Sequence, residues 1–117
     1  MSDKRIVLEL PLDPAYVQTA RLVTASAANL CGFDMETVED LRVCISEVLN
    51  AYISEDEISD TKMSLIFTYE NNALRITSPL SEALRESEDM SMGRLIIDSL
   101  MDEVEESKDT LTLVKYR

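Results

Sequence analysis

Glu47 and Asn50 stand one helical turn apart in a stretch, Ile45-Ser46-Glu47-Val48-Leu49-Asn50-Ala51, that otherwise reads as buried helix. A carboxylate can serve as general base for an attacking hydroxyl. An amide oxygen can ligate Mg²⁺, a hard cation that takes oxygen ligands and keeps waters and substrate phosphates. At about 100° per residue the two share a helix face with Glu36, Asp40 and Ser54. The chemistry such a row could support is phosphoryl transfer at a metal–nucleotide site. A solvated acidic face is the commoner meaning of the same row, so the pair counts for little by itself.

The helix that must carry them is read from Val38, Leu41, Ile45, Val48 and Tyr52, whose spacings of three and four fall on one face. Asp34 caps it, and it should run to about Ser54, with an acidic loop over residues 55–60 after it. Upstream, residues 4–10 form a strand that Pro11 ends by removing a ladder donor. Asp13-Pro14 then opens a first helix as N-cap and first-turn proline, with Val17, Ala20, Val23, Ala27 and Leu30 at helical period and Gly32 as its C-terminal cap. Downstream, Met63, Leu65, Phe67 and Tyr69 alternate, residues 70–72 turn, and Leu74 and Ile76 return as a hairpin. An irregular region over 79–89 could hold a short helix at 81–85. A helix from about Met90 to Met101 follows, with Met92, Leu95, Ile96 and Leu100 as its core stripe. Val104 begins a short strand, and residues 110–116 are the last. This order predicts an α+β fold: a two-layer α/β sandwich with a mainly antiparallel, mixed sheet and helices on one face.

The residues at the joints of these elements resemble a known family. The strand over residues 6–10, the helix start Pro14-Ala15-Tyr16-Val17, the end Ala28-Asn29-Leu30-Cys31-Gly32-Phe33, the run Glu39-Asp40-Leu41-Arg42-Val43-Cys44-Ile45-Ser46-Glu47 and the late run from Gly93 to Val104 are similar to the bacterial anti-sigma factor serine/threonine kinases, of histidine-kinase-like (GHKL) ATPase fold. In that family a Ser-Glu pair opens the N-box; the resemblance makes Glu47 the general base. The family's Mg²⁺-binding Asn lies four residues later. Here that position is Ala51, with Asn50, the candidate metal ligand, one residue early, a rotation of about 100°. The family's Asp-x-Gly-x-Gly, which recognises adenine, should follow the strand at 73–77, where the chain reads Ser78-Pro79-Leu80-Ser81-Glu82. Its phosphate-binding Gly-x-Gly-Leu is Ser91-Met92-Gly93-Arg94, so Ser91 and Gly93 are the candidate phosphate loop. Only residues 79–91 remain for a nucleotide lid, which is shortened or absent.

Composition bounds the rest. At 117 residues and 45% hydrophobic, the chain suits one domain over residues 1–117. No signal peptide or membrane-spanning run is visible, which predicts a cytoplasmic protein with no membrane partner. There is no His, which excludes Ser-His and Cys-His nucleophile pairs. Cys31 and Cys44 have no metal spacing and read as buried thiols, and Tyr16, Tyr52 and the methionines as packing residues. A net charge of −12, distributed as −8 over residues 1–60, +1 over 61–80 and −5 over 81–117, opposes nucleic-acid binding. It favours solubility first and a basic partner second.

The resemblance and its departures together predict an anti-sigma-factor-like regulator that works by protein–protein binding. Its partners would be a sigma factor, an anti-sigma factor antagonist, or both, with no cofactor or only weakly bound Mg-ATP. The alternatives are an active serine/threonine kinase that phosphorylates an antagonist, and a scaffold or dimerisation module unrelated to sigma factors. The first helix carries Leu22, Ala25 and Ala28 off its main apolar face, more than one face can bury, and predicts a homodimer.

Overall fold

The computed structural model describes residues 4–55 and 62–117. β1 (Arg5–Pro11) leads through a 3-10 turn at Pro14–Tyr16 into α1 (Val17–Leu30) and α2 (Met35–Glu55). β2 (Lys62–Glu70) and β3 (Ala73–Pro79) form a hairpin, a second 3-10 turn covers Glu82–Leu84, and α3 (Met92–Leu100), β4 (Glu103–Glu106) and β5 (Thr110–Tyr116) complete the order. The strands lie β1-β2-β3-β5-β4, and each pairing is antiparallel, so the expected mixed sheet has no parallel pair among the described strands.

Local chemistry sets the joints. Asn71 and Asn72 both adopt positive φ, 56° and 61°, which gives a two-residue turn whose twist matches that of the flanking strands. Asp13 accepts from the Ala15 N–H, but with Pro14 it caps a 3-10 turn, and α1 begins only at Val17. Gly32, at φ +85°, ends α1, and the Phe33 N–H reaches back to the Ala28 carbonyl. Asp34 caps α2 by accepting from the Thr37 N–H at 2.9 Å. The expected acidic loop after α2 lies, from residue 56 on, outside the described residues.

One apolar cluster joins the layers. Leu41, Ile45, Val48 and Leu49 of α2 meet Leu65, Phe67, Ile76 and Leu113 of the sheet, with Ile97 of α3 and Ala20 and Ala27 of α1. Two expectations about the helices are corrected. Leu30 is 79% exposed, because α1 turns its small residues Ala20, Thr24, Ala27 and Ala28 inward for close packing on α2. The predicted stripe of α3 is rotated outward: Met92 and Leu95 are exposed at 70% and 45%, while Arg94 and Ile97 are buried. The cause is at the helix start, where Gly93 and Arg94 are the residues held against the rest of the molecule.

Candidate functional site

Glu47, Asn50 and Ala51 of α2, Ala83 and Leu84 of the second 3-10 turn, and Ser91 and Gly93 at the start of α3 line one cleft of about 210 Å³. All four residues singled out in the sequence therefore converge. The helical period brings Glu47 and Asn50 to the same opening, and α3 comes to it because Ser91 caps its first turn, its Oγ accepting from the Arg94 N–H at 3.2 Å. The glycine at 93 permits the closest approach: a Cβ there would lie 3.1 Å from Glu47 Oε1 and 3.4 Å from Leu84 Cδ2. Ser46, the first member of the Ser-Glu pair, faces α1 instead. Its hydroxyl accepts from Arg21 Nη1 at 2.5 Å and donates to the Arg42 carbonyl at 3.1 Å.

Sequence reasoning missed the two residues that do most to shape this cleft. Leu84 is 1% exposed and closes it between α2 and α3. Arg94, at the Leu position of the phosphate motif, is 4% exposed and is bonded through Nε and Nη1. Its Nη1 donates to the Leu84 carbonyl and to Glu106 Oε1, each at 2.8 Å, and its Nε donates to Asp98 at 2.9 Å. Glu106 is in turn the acceptor for the Glu86 N–H at 2.9 Å. The chain from 84 to 86 is thus held at one end by Arg94 and at the other by Glu106. The register explains why: Glu106 pairs with Leu111, an inward residue of β5, so it points from β4 toward the helices.

The electrostatics agree with the geometry. Hydrogen bonds from Arg94 and from the Glu86 amide hold the Glu106 carboxyl below its usual range. Burial disfavours the charged form of Arg94, but its bonds to Asp98 and Glu106 outweigh that and raise its pKa. Burial pushes the Cys44 thiol up to about 12, with the neighbouring Asp40 charge adding to it, and burial also raises Cys31. Neither thiol is disposed to act as a nucleophile near neutral pH. Ser78, where the adenine-recognising Asp would stand, is buried and spends its hydroxyl on the Pro79 carbonyl at 3.0 Å. No group of three or more acidic, Cys or His side chains among the described residues could hold a metal ion.

A five-stranded antiparallel sheet layered with three helices is compatible with the GHKL-like α/β sandwich. No family model matches the chain. Among curated proteins it is similar to several named serine-protein kinase RsbW. It is 38% identical over 72 residues to that of Listeria monocytogenes serotype 4a, a match covering 57% of this chain and 45% of the relative. It is 27% identical over 139 residues to that of Bacillus cereus, covering 97% of this chain and 85% of the relative. With that of Oceanobacillus iheyensis it shares 43% over 44 residues, or 38% of this chain and 28% of the relative. The similarity to these kinases agrees with the resemblance in the sequence. The matched region spans less than half the length of the Listeria relative. In the Bacillus match, 97% of 117 residues, about 113, is spread over 139 aligned positions, which leaves about 26 that only the relative fills. No helix among the described residues is long and apolar enough to cross a membrane.

Proposed function

We propose that the chain is a cytoplasmic regulator of the anti-sigma-factor kind that acts by binding a sigma factor or an antagonist protein, with nucleotide binding and phosphoryl transfer weak or lost. The observation that carries this reading is Leu84. In the resembling family the space between the N-box helix and the last helix admits a nucleotide. Here the Leu84 side chain is buried in it, and the remaining 210 Å³ falls below the range of about 300–1,000 Å³ in which small-molecule sites lie. The fit to Mg-ATP is poor in other respects as well. Ser91 has its hydroxyl engaged in a helix cap, Arg94 has its guanidinium committed to Leu84, Asp98 and Glu106, and residues 78–82 at the end of β3 hold no Asp or Gly. The connection between Pro79 and Met92 is short and leaves little length for a lid.

The second reading, an active serine kinase with Glu47 as base, is favoured by one observation: Glu47, Asn50, Ser91 and Gly93 do line a common cleft. The discriminating experiment is phosphate incorporation into an antagonist-type partner protein, by wild type and Glu47→Gln side by side. Removing the base while keeping its shape abolishes transfer in a kinase. The binding reading expects no incorporation by either. Incorporation by wild type that Glu47→Gln eliminates would overturn it.

A further inference from the structure

α3 turns its one cation inward and part of its apolar surface outward. It buries a guanidinium, Arg94, at 4% exposure, and shows Met92 to solvent at 70% and Leu95 at 45%. Ile96, half-buried, lies beside them in the i, i+3, i+4 arrangement that makes a contiguous patch on a helix, and Ser99 extends it one turn further. The outward face therefore holds no charge, in a chain where 29% of residues are charged. On α1 the exposed Leu22 has Ala25, Ser26 and Asn29 at the same i+3, i+4 and i+7 spacing, so polar residues separate it from the exposed Leu30. The apolar patch of α3 is bounded by acids. Glu88 and Asp89 precede the helix, Asp98 flanks the patch and Asp102 follows it; all four are exposed, but Asp98 is already paired with Arg94 and Asp102 with Lys115, so Glu88 and Asp89 carry most of the unspent negative charge of this rim. The single cation of the helix is buried and already bonded.

We propose that the outward face of α3 is a docking surface for an amphipathic helix of a partner protein that carries Lys or Arg beside an apolar ridge. An uncharged centre with a polar rim is the anatomy of a protein interface. Met92 at the edge of the face can adapt to the side chains of a partner ridge, and the acidic rim selects basic flanks over acidic ones and speeds encounter. The proposal rests on the reading of the chain as a binding protein and gives that reading a surface and a partner chemistry.

The test uses the full chain, ¹⁵N-labelled, titrated with a helical peptide of about 18 residues, or roughly five turns, built from Leu on one face and Lys on the other. A Leu/Glu peptide of the same pattern is the control. Saturable shifts that peak at the amides of Met92, Leu95, Ile96 and Ser99, with binding more than tenfold weaker for the acidic peptide and for Leu95→Asp, are expected. Leu95 is exposed enough for that variant to fold, its spectrum reports whether it has, and Met92→Glu is the second variant. Shifts without a maximum on α3, equal affinity for both peptides, or unchanged affinity in both variants would overturn the proposal. So would dilution of the chain alone moving the same amides, since a second copy would then be the occupant. None of these readouts involves nucleotide, so failure here leaves the binding reading standing, whereas kinase activity would end that reading without touching the α3 surface.

Discussion

The carboxylate of Glu47 lies against the bare α-carbon of Gly93, so close that a methyl group placed there would meet Glu47 Oε1 at 3.1 Å. The approach holds α3 against α2 across the cleft. Alanine at 93 would gain helix propensity worth up to about 1 kcal/mol but would push Glu47 or Leu84 aside. Gly93→Ala is expected to destabilise slightly, by under about 1 kcal/mol, and to become stabilising in a Glu47→Ala background. Urea unfolding of the four proteins of that cycle should give a coupling of at least about 0.5 kcal/mol, as residues in contact do. Additive effects would mean that the two side-chain positions do not touch.

Leu84 and Leu95 make an internal comparison. Leu84 is 1% exposed and Leu95 is 45% exposed. Truncating a buried leucine loses its transfer energy and leaves a cavity, so Leu84→Ala should cost about 2–5 kcal/mol. Leu95→Ala should stay within about 0.5 kcal/mol, as surface changes do. Denaturant midpoints at constant m-value would check both. A small loss at Leu84 would show that the cleft is not closed by this side chain.

Acid should loosen the connection between β3 and α3. The Glu106 carboxyl is held below its usual range by Arg94 and the Glu86 amide, so the folded state keeps it ionised to lower pH than the unfolded chain does. Its contribution is present above the unfolded pKa of about 4.3 and is lost as pH falls through the lower folded value. Glu106→Gln removes that contribution. The stability gap between wild type and variant should be constant from about pH 7 to 5 and shrink below about pH 4, in unfolding curves measured across the range. A gap that does not change with pH would show that Glu106 is not ion-paired in the native state.

Much of the architecture was legible because the signals were local. The spacing of Val38, Leu41, Ile45 and Val48, the alternation of Met63, Leu65 and Phe67 and the caps at Asp34 and Gly32 stand in the structure as read, and the turn read over residues 70–72 narrows to Asn71-Asn72. The convergence of Glu47 and Asn50 with Ser91 and Gly93 was legible only through the family resemblance, since more than 40 residues separate the two pairs. What sequence could not give was the docking of α3. Periodicity assigned Met92 and Leu95 to the core, because an arginine is not expected there. Arg94 takes the inward place because Leu84 O, Asp98 and Glu106 satisfy it, and Glu106 is inward only through the β4–β5 register. Leu84 sat in an irregular stretch with no period to mark it as buried.

Self-association through α1 is expected. α1 exposes Leu22 at 57% and Leu30 at 79%, and two-fold pairing is the commonest way to cover such a helix. Two chains of −12 repel over a Debye length of about 30 Å at 0.01 M salt and about 10 Å at 0.1 M. Light scattering at tens of micromolar protein should give a dimer mass at the higher salt and a lower mass at the lower one. A monomer mass at both would refute the dimer.

The central claim, that Leu84 and its fastenings have closed the nucleotide cleft, is tested most directly by titrating the chain with Mg-ATP, read by calorimetry and by thermal shift. A ligand present at 100 times its dissociation constant stabilises a fold by about 2.7 kcal/mol, which for a chain of this size is a rise of many degrees. Millimolar Mg-ATP is expected to leave the melting temperature nearly unchanged and to give no saturable heat. A micromolar isotherm with a matching thermal shift would contradict the account and establish that the cleft still admits nucleotide.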